Sequence, residues 1–258
     1  MKIPTLCVGS MLVLSGITAA FAADPNKATV YRDYTDTITP ASQDAYEAGV
    51  KAWNQCLRDH GSKDAWIAWN HETGNVYSYS YVTGPHTWAD FDAMRATSQA
   101  CDATWRKMAN PHLKGETSAF MVLQPDMSHM PMAADAPPPA FIDVTYITLE
   151  HGHQAHATFA EVAKKIAAAA AKANWAAHYS ILEIRGGDDG APDYIVVSPN
   201  KSWAEVGADA NPPLWKMVEG AYGKAQADSL RKQLNDATEK FSSHIDRFNA
   251  DLSYNAPK

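Results

Sequence analysis

A ten-residue pattern occurs twice in this chain. Val82-Thr83-Gly84-Pro85-His86-Thr87-Trp88-Ala89-Asp90-Phe91 has a counterpart in Val197-Ser198-Pro199-Asn200-Lys201-Ser202-Trp203-Ala204-Glu205-Val206. Trp88 and Trp203 stand at the same point of the two copies, 115 residues apart, with no gap between the aligned positions. Each copy reads as a strand end, a short Pro-containing turn and a helix start. Thr87 and Ser202 fall where an N-cap is expected, and Trp88 and Trp203 where strand meets helix. A repeat of this kind predicts one supersecondary unit written twice.

The first residues read as an export signal rather than as part of that unit. Lys2 supplies a positive start, Ile3 to Ala19 is largely apolar, and Ala20-Phe21-Ala22 matches the small-x-small cleavage pattern. Residues 1–22 are therefore expected to be removed, taking Cys7 with them, and the periplasm or the medium is the expected location. A single membrane anchor is the alternative. No later apolar run approaches the roughly 20 residues needed to span a bilayer, so no membrane contact is expected after cleavage. The formal charge of −7 becomes −8 when Lys2 leaves. An acidic chain with no basic tract is a poor nucleic-acid binder. Two cysteines remain, Cys56 and Cys101. An even pair in an oxidising compartment suggests a disulfide, with a free reactive thiol as the alternative.

Periodicity divides the rest into residues 23–124, a Pro/Met-rich linker at 125–139, and residues 140–258. In the first part, Ala28 to Ile38 reads as a strand. A helix capped by Ser42 carries Tyr46, Val50, Trp53 and Leu57 on one face. A hairpin runs from Ala65 to Val82, a helix from Thr87 to Met108, and a strand from Glu116 to Gln124. The second part repeats the order. It has a strand at Phe141 to Leu149, a loop at His151 to His156, an Ala-rich helix capped by Thr158, and a hairpin from Tyr179 to Ser198. It then departs, with extra helical segments at Leu214 to Tyr222 and Gln226 to Phe241 before a last strand at His244 to Ser253.

This β-α-β-β-α-β order, written twice, resembles the ferredoxin-like units of the dimeric α/β-barrel superfamily. That group includes antibiotic-biosynthesis-type monooxygenases, and the haem-containing chlorite dismutases and dye-decolourising peroxidases. The resemblance covers nearly the whole mature chain, rests on element order and the repeat, and singles out no member family. It implies an α+β fold with two units packed sheet to sheet as an intrachain barrel. It further implies a monomer that is its own pseudo-dimer, a homodimer of separate units being the alternative. It places the two helices of a unit side by side, where Cys56 and Cys101 could meet.

On that fold, Leu182, Ile184, Ile195 and Val197 are the purely apolar strand positions, and they are expected to face the helices. The opposite parity puts Trp66, Ala68, Asn70, Tyr79 and Tyr81 of the first unit between the sheets. It does the same for Tyr179, Ile181, Glu183, Arg185, Tyr194 and Val196 of the second. The expected ligand site is therefore Trp66, Asn70, Tyr79, Tyr179, Glu183, Arg185 and Tyr194, an aromatic surface with polar tips suited to a small aromatic or amphipathic molecule. The alternative is a filled, mixed core.

Three other features bear on cofactors. His151, His153 and His156 could hold a transition metal, although their spacing matches no closed zinc pattern. Met127, His129, Met130 and Met132 are soft ligands suited to copper. No Cys-x-x-Cys-His is present, which excludes c-type haem attachment, and His178 and His244 are the strand-start histidines open to non-covalent haem. No cofactor is expected as a requirement. Three readings follow: a small-ligand binder, in its enzyme form a cofactor-free oxygenase; a copper or other metal-binding protein; and an interaction module with a filled centre.

Overall fold

The computed structural model describes residues 29–130 and 137–255. The expected signal at 1–22 and Met132 of the linker lie outside these residues. Eight antiparallel strands close into one barrel. They are β1 (Val30–Ile38), β2 (Trp66–His71), β3 (Ser78–His86), β4 (Leu113–Leu123), β5 (Phe141–Leu149), β6 (Ser180–Gly186), β7 (Tyr194–Asn200) and β8 (Thr238–Tyr254). Around the barrel the order is β1-β3-β2-β8-β5-β7-β6-β4. The first four strands thus lie in the order β4-β1-β3-β2 and the last four in the order β8-β5-β7-β6. β2 pairs with β8, and β4 with β6 over Phe120–Leu123, so each of these eight strands has a neighbour on both sides.

The helices cover the outside. Helix α1 (Gln43–Asp59) buries Tyr46, Val50 and Leu57, a stripe at helical spacing, against the outer face of the first half. The expected single helix from Thr87 to Met108 is three pieces: α2 (Asp90–Ser98), a 3₁₀ turn at Gln99–Cys101 and α3 (Asp102–Met108). The break falls at Cys101, which is fully buried and bonded to Cys56 of α1 with Cα atoms 5.9 Å apart. Gly49 lets the two helices touch, since a Cβ there would lie 2.2 Å from the backbone oxygen of Met108. In the second half, α4 (His153–Ala173) packs with α6 (Leu214–Tyr222) and α7 (Lys224–Ala237), while α5 (Trp203–Val206) is a single turn. Helix α4 starts five residues before Thr158. Gly152, at φ +113°, makes the turn into it, and His153 and His156 belong to its first turn instead of a loop.

The Trp motif is placed differently from expectation. Ser202 does cap α5, its hydroxyl accepting from the Glu205 N–H at 3.3 Å. Thr87 does not cap α2; its N–H donates to the Asp90 carboxylate at 2.7 Å. Trp88 and Trp203 are half exposed, leaning on Phe120 and Phe141 rather than anchoring a core.

The faces of the sheet are opposite to those read from the sequence. Leu182 and Ile195 are buried inside the barrel with Trp69, Met121, Ile142 and Val144, and Ile184 and Val197 pack against them. Trp66, Ala68, Tyr79 and Tyr81 face α1, and Ile181, Tyr194 and Val196 face α4. Polar tips explain the preference. On the outer face a Tyr hydroxyl can reach a helix side chain, as Tyr79 reaches Glu47 and Gln43. The apolar side chains Leu182, Ile195, Ile142 and Val144 carry no polar atom that needs a partner, and they pack together in the interior.

Candidate functional site

The seven expected ligand residues do not converge. Trp66 is stacked between Trp53 (5.0 Å) and Tyr254 (4.6 Å) under the first-half helices. Tyr79 is buried nearby, its hydroxyl donating to Glu47 at 2.8 Å. The Asn70 side-chain oxygen accepts from Asn249 at 2.9 Å. Tyr194 packs on Phe159 in the second half, with Tyr179 beside that cluster. Glu183 and Arg185 pair with each other at 3.0 Å, with Arg185 exposed. Alternation correctly groups residues that share a strand face, but two separate outer faces and a rim are involved.

A pocket of about 320 Å³ lies between the outer face of the first half and α1, α2 and α3. Its walls include Trp53, Trp66, Trp105, Tyr81 and Phe91. Trp53 is the hub, stacked on Trp66 and edge-on to Trp105 at 5.1 Å. The polar floor comes from β1. Asp36, which is 1% exposed, accepts from the Tyr46 hydroxyl at 2.5 Å. The Tyr46 oxygen is 2.8 Å from that of Tyr81, and because the Tyr46 proton is committed to Asp36, Tyr81 is the donor to Tyr46. Arg32 spreads over Tyr34 and Phe120 at 4.5 and 4.7 Å. Burial raises the Asp36 carboxyl above its usual range; the Tyr46 bond opposes this and nearby Glu116 adds to it. Burial also raises Tyr46 and Tyr81, which remain hydroxyl donors. Three buried atoms of lining residues have no hydrogen-bond partner in the protein: Arg32 Nε, Asp36 Oδ1 and Trp53 Nε1. Unmet buried polar atoms of this kind are expensive unless something else satisfies them.

A second cavity, also about 320 Å³, lies inside the barrel. Tyr31, Trp69, Met121, Leu182 and Ile195 form its apolar wall, and Asp33, Ser80, Tyr146 and Asp246 its polar one. Thr35 donates to Asp33 at 3.0 Å and lies 2.9 Å from the Ser80 hydroxyl, which is 3.0 Å from His71 Nε2. His71 stacks on His244 with ring centres 4.3 Å apart. Burial lifts Asp33 to about 7, with the Thr35 bond opposing and Asp246 adding to the effect. Burial lowers His71, against the pull of Asp246. Sequence reasoning missed this group. Its one visible signal was Ser242, His244 and Asp246 alternating along the final strand.

The expected metal ligands fare differently. Among the described residues, the His/Cys/Asp/Glu groups with converging ligand atoms are Cys56–His60–Cys101, whose sulfurs form the disulfide, and His71–His244–Asp246. His151, His153 and His156 are not brought together in this way; His156 lies 3.3 Å from Asp193. Met127 is buried in the second-half core, and His129 Nε2 donates to the Trp175 carbonyl at 2.9 Å. A larger recess of about 1220 Å³ between the second-half sheet and its helices is lined by Trp175, His178, Tyr179 and Leu214. The Nδ1 of His178 and the hydroxyl of Tyr179 are buried there without partners.

No protein-family model matches the chain, and no curated protein matches its sequence. Solved structures do match in fold. A candidate monooxygenase from Lactobacillus acidophilus superposes with a TM-score of 0.53 at 8% identity, covering 88% of this chain and 96% of the other. A second candidate monooxygenase, from Fusobacterium nucleatum, gives 0.51 at 12% identity over 90% and 96%. A mutant chlorite dismutase from Candidatus Nitrospira defluvii gives 0.51 at 10% identity over 88% and 94%. At such identities the likeness is one of fold: an α+β protein with an eight-stranded antiparallel closed barrel, consistent with the dimeric α/β-barrel architecture.

Proposed function

We propose that the protein is exported and binds a small aromatic or amphipathic molecule in the first-half pocket, where it acts as a monooxygenase-like enzyme. One observation carries this reading: Arg32 Nε, Asp36 Oδ1 and Trp53 Nε1, all buried and unpartnered, belong to the lining of one aromatic pocket. The aromatic wall would pack against a ring, and Arg32 and Trp53 would donate to its oxygen substituents. A carboxyl displaced upward by burial is suited to taking a proton from an acidic hydroxyl or an activated CH₂. With dioxygen as oxidant, oxidation of a ring CH₂ to a carbonyl releases one water. The resemblance in fold to candidate monooxygenases supports the chemistry, and the disulfide supports an oxidising location. The common strand order of the two halves supports a tandem of ferredoxin-like units completing one barrel within one chain.

The test is dioxygen uptake with a panel of hydroxylated polycyclic aromatics, alongside quenching of Trp fluorescence. Asp36→Asn should retain quenching and lose uptake by about 10²-fold or more. Uptake at the wild-type rate in that variant, or no quenching by any member of the panel, would sink this reading.

A second reading is favoured by His178, an imidazole with a buried, unpartnered nitrogen lining a recess large enough for a macrocycle. His178 would hold a haem there, and the haem would supply redox chemistry. Hemin titration should then give a Soret band that His178→Ala abolishes; an unchanged band would remove His178 from the assignment.

A further inference from the structure

The barrel interior contains a group that the first-half pocket does not use. β2 and β8 form one of the two seams between the halves, and in their register His71 lies directly opposite Asp246. His244 is two residues from Asp246 on the same strand, so alternation turns it to the same face. The seam therefore gathers two imidazoles and a carboxylate from opposite halves of the chain. Side-chain exposure is 9% for His71, 10% for His244 and 3% for Asp246.

We propose that His71, His244 and Asp246 form a binding site for a divalent transition-metal ion. Two ligands bound to one such ion at about 2.1 Å lie roughly 3.0 to 3.4 Å apart in octahedral or tetrahedral geometry. His244 Nε2 is 3.0 Å from Asp246 Oδ1, and His71 Nε2 is 3.8 Å from the same oxygen. All three ligand atoms lie within 4.8 Å of one another. Movements of a few tenths of an ångström to about an ångström, available to side-chain torsions, bring them to bonding distance.

The second observation is a shortage of donors. The carboxylates Asp33 and Asp246 share this end of the interior, and each keeps a buried oxygen, Oδ1, without a hydrogen-bond partner. His244 Nε2 lies 3.1 Å from Oδ2 and 3.0 Å from Oδ1 of Asp246, so its one N–H is at best divided between the two oxygens. Burying an incompletely paired carboxylate is costly. A cation bridging Asp246 to both imidazoles supplies the missing positive charge, with Asp33 adding to the field. Two histidines and one carboxylate are a ligand set that takes Fe(II), Zn(II) or Co(II) and leaves positions free. Asp246 also lines the interior cavity, so those positions are filled by water or a small oxygen donor entering from it.

The experiment is titration of the chelator-stripped, full-length chain with Co²⁺, followed by visible d–d absorption, and with Zn²⁺, followed by thermal unfolding. The expected result is one equivalent bound and an upward shift in Tm, because the ion ties the two halves together. His71→Ala and His244→Ala should each weaken binding by more than about 100-fold. A variant with His151→Ala, His153→Ala and His156→Ala should bind like the wild type. Should the buried variants fail to fold by circular dichroism, imidazole ¹⁵N spectra of the wild type decide, since Zn²⁺ must shift the resonances of His71 and His244. The proposal is overturned by any of three outcomes: no uptake by the wild type, uptake abolished in the helix-start triple variant, or His71 and His244 resonances that Zn²⁺ does not move.

Discussion

Replacing Asp36 by Asn should make the protein's stability less dependent on pH, and the size of the effect follows from the site. Asp36 is raised from an ordinary 3.8 to about 7, with burial as the largest cause. That displacement corresponds to about 4 kcal/mol of linkage between protonation and folding, an upper figure that water entering the pocket would reduce to about 2. Below pH about 4 both the native and unfolded chains hold the proton, and the contribution to stability is at its best. Between about 4 and 7 the native chain keeps a proton the unfolded chain has lost, so stability falls as pH rises. Above about 7 the loss is complete. Asn cannot ionise, yet it keeps an acceptor for the Tyr46 hydroxyl. Asp33, on the other face of the same strand, has the same sign and remains in the variant. Urea unfolding from pH 4.5 to 8.5, followed by Trp fluorescence, should show the wild type losing about 2–4 kcal/mol more than Asp36→Asn across the range. Parallel curves for the two proteins would refute the reasoning.

Two further outcomes concern the helix pair on the first half. Cys56→Ser with Cys101→Ser opens a loop of sequence separation 45 and should cost about 4 kcal/mol by chain entropy, read as a lower urea midpoint; an unchanged midpoint would mean the disulfide adds nothing. Gly49→Ala places a methyl 2.2 Å from the Met108 carbonyl oxygen. Because the disulfide prevents α1 and α3 from separating, it should cost about 1–3 kcal/mol, and wild-type stability in that variant would show that the crossing has slack.

Much of the frame was legible because local signals agreed with the fold. The Trp88 and Trp203 turns marked corresponding strand ends. Phe141–Leu149 and Leu214–Tyr222 were bounded correctly by turn residues and apolar spacing. Cys56 and Cys101 followed from an even count and two neighbouring helices. The faces failed for a definite reason. Period-two alternation tells which of Leu182, Glu183, Ile184 and Arg185 share a side, but not which side that is. The choice depends on closure of the barrel and on helices with polar groups that can receive Tyr79. The interior cluster was illegible for another reason. His71 read as part of a turn and Asp246 as an ordinary strand residue, and only the pairing of β2 with β8 brings them together. Helix α4 was begun too late because a run of histidines resembles a loop, while Gly152 had already made the turn.

The long β8 strand has a bearing on when this molecule can exist as a folded object. It is the final strand of the barrel in chain order, yet it pairs with β2 on one side and β5 on the other. Until it is available the barrel lacks a stave, and β2 and β5 keep open edges. Such contacts, remote in sequence, form slowly because the loop entropy must be met first. A chain synthesised from its N-terminus is therefore held short of closure until β8 has been made. Removing β8 should leave an adhesive, open-edged sheet instead of a smaller version of the same protein.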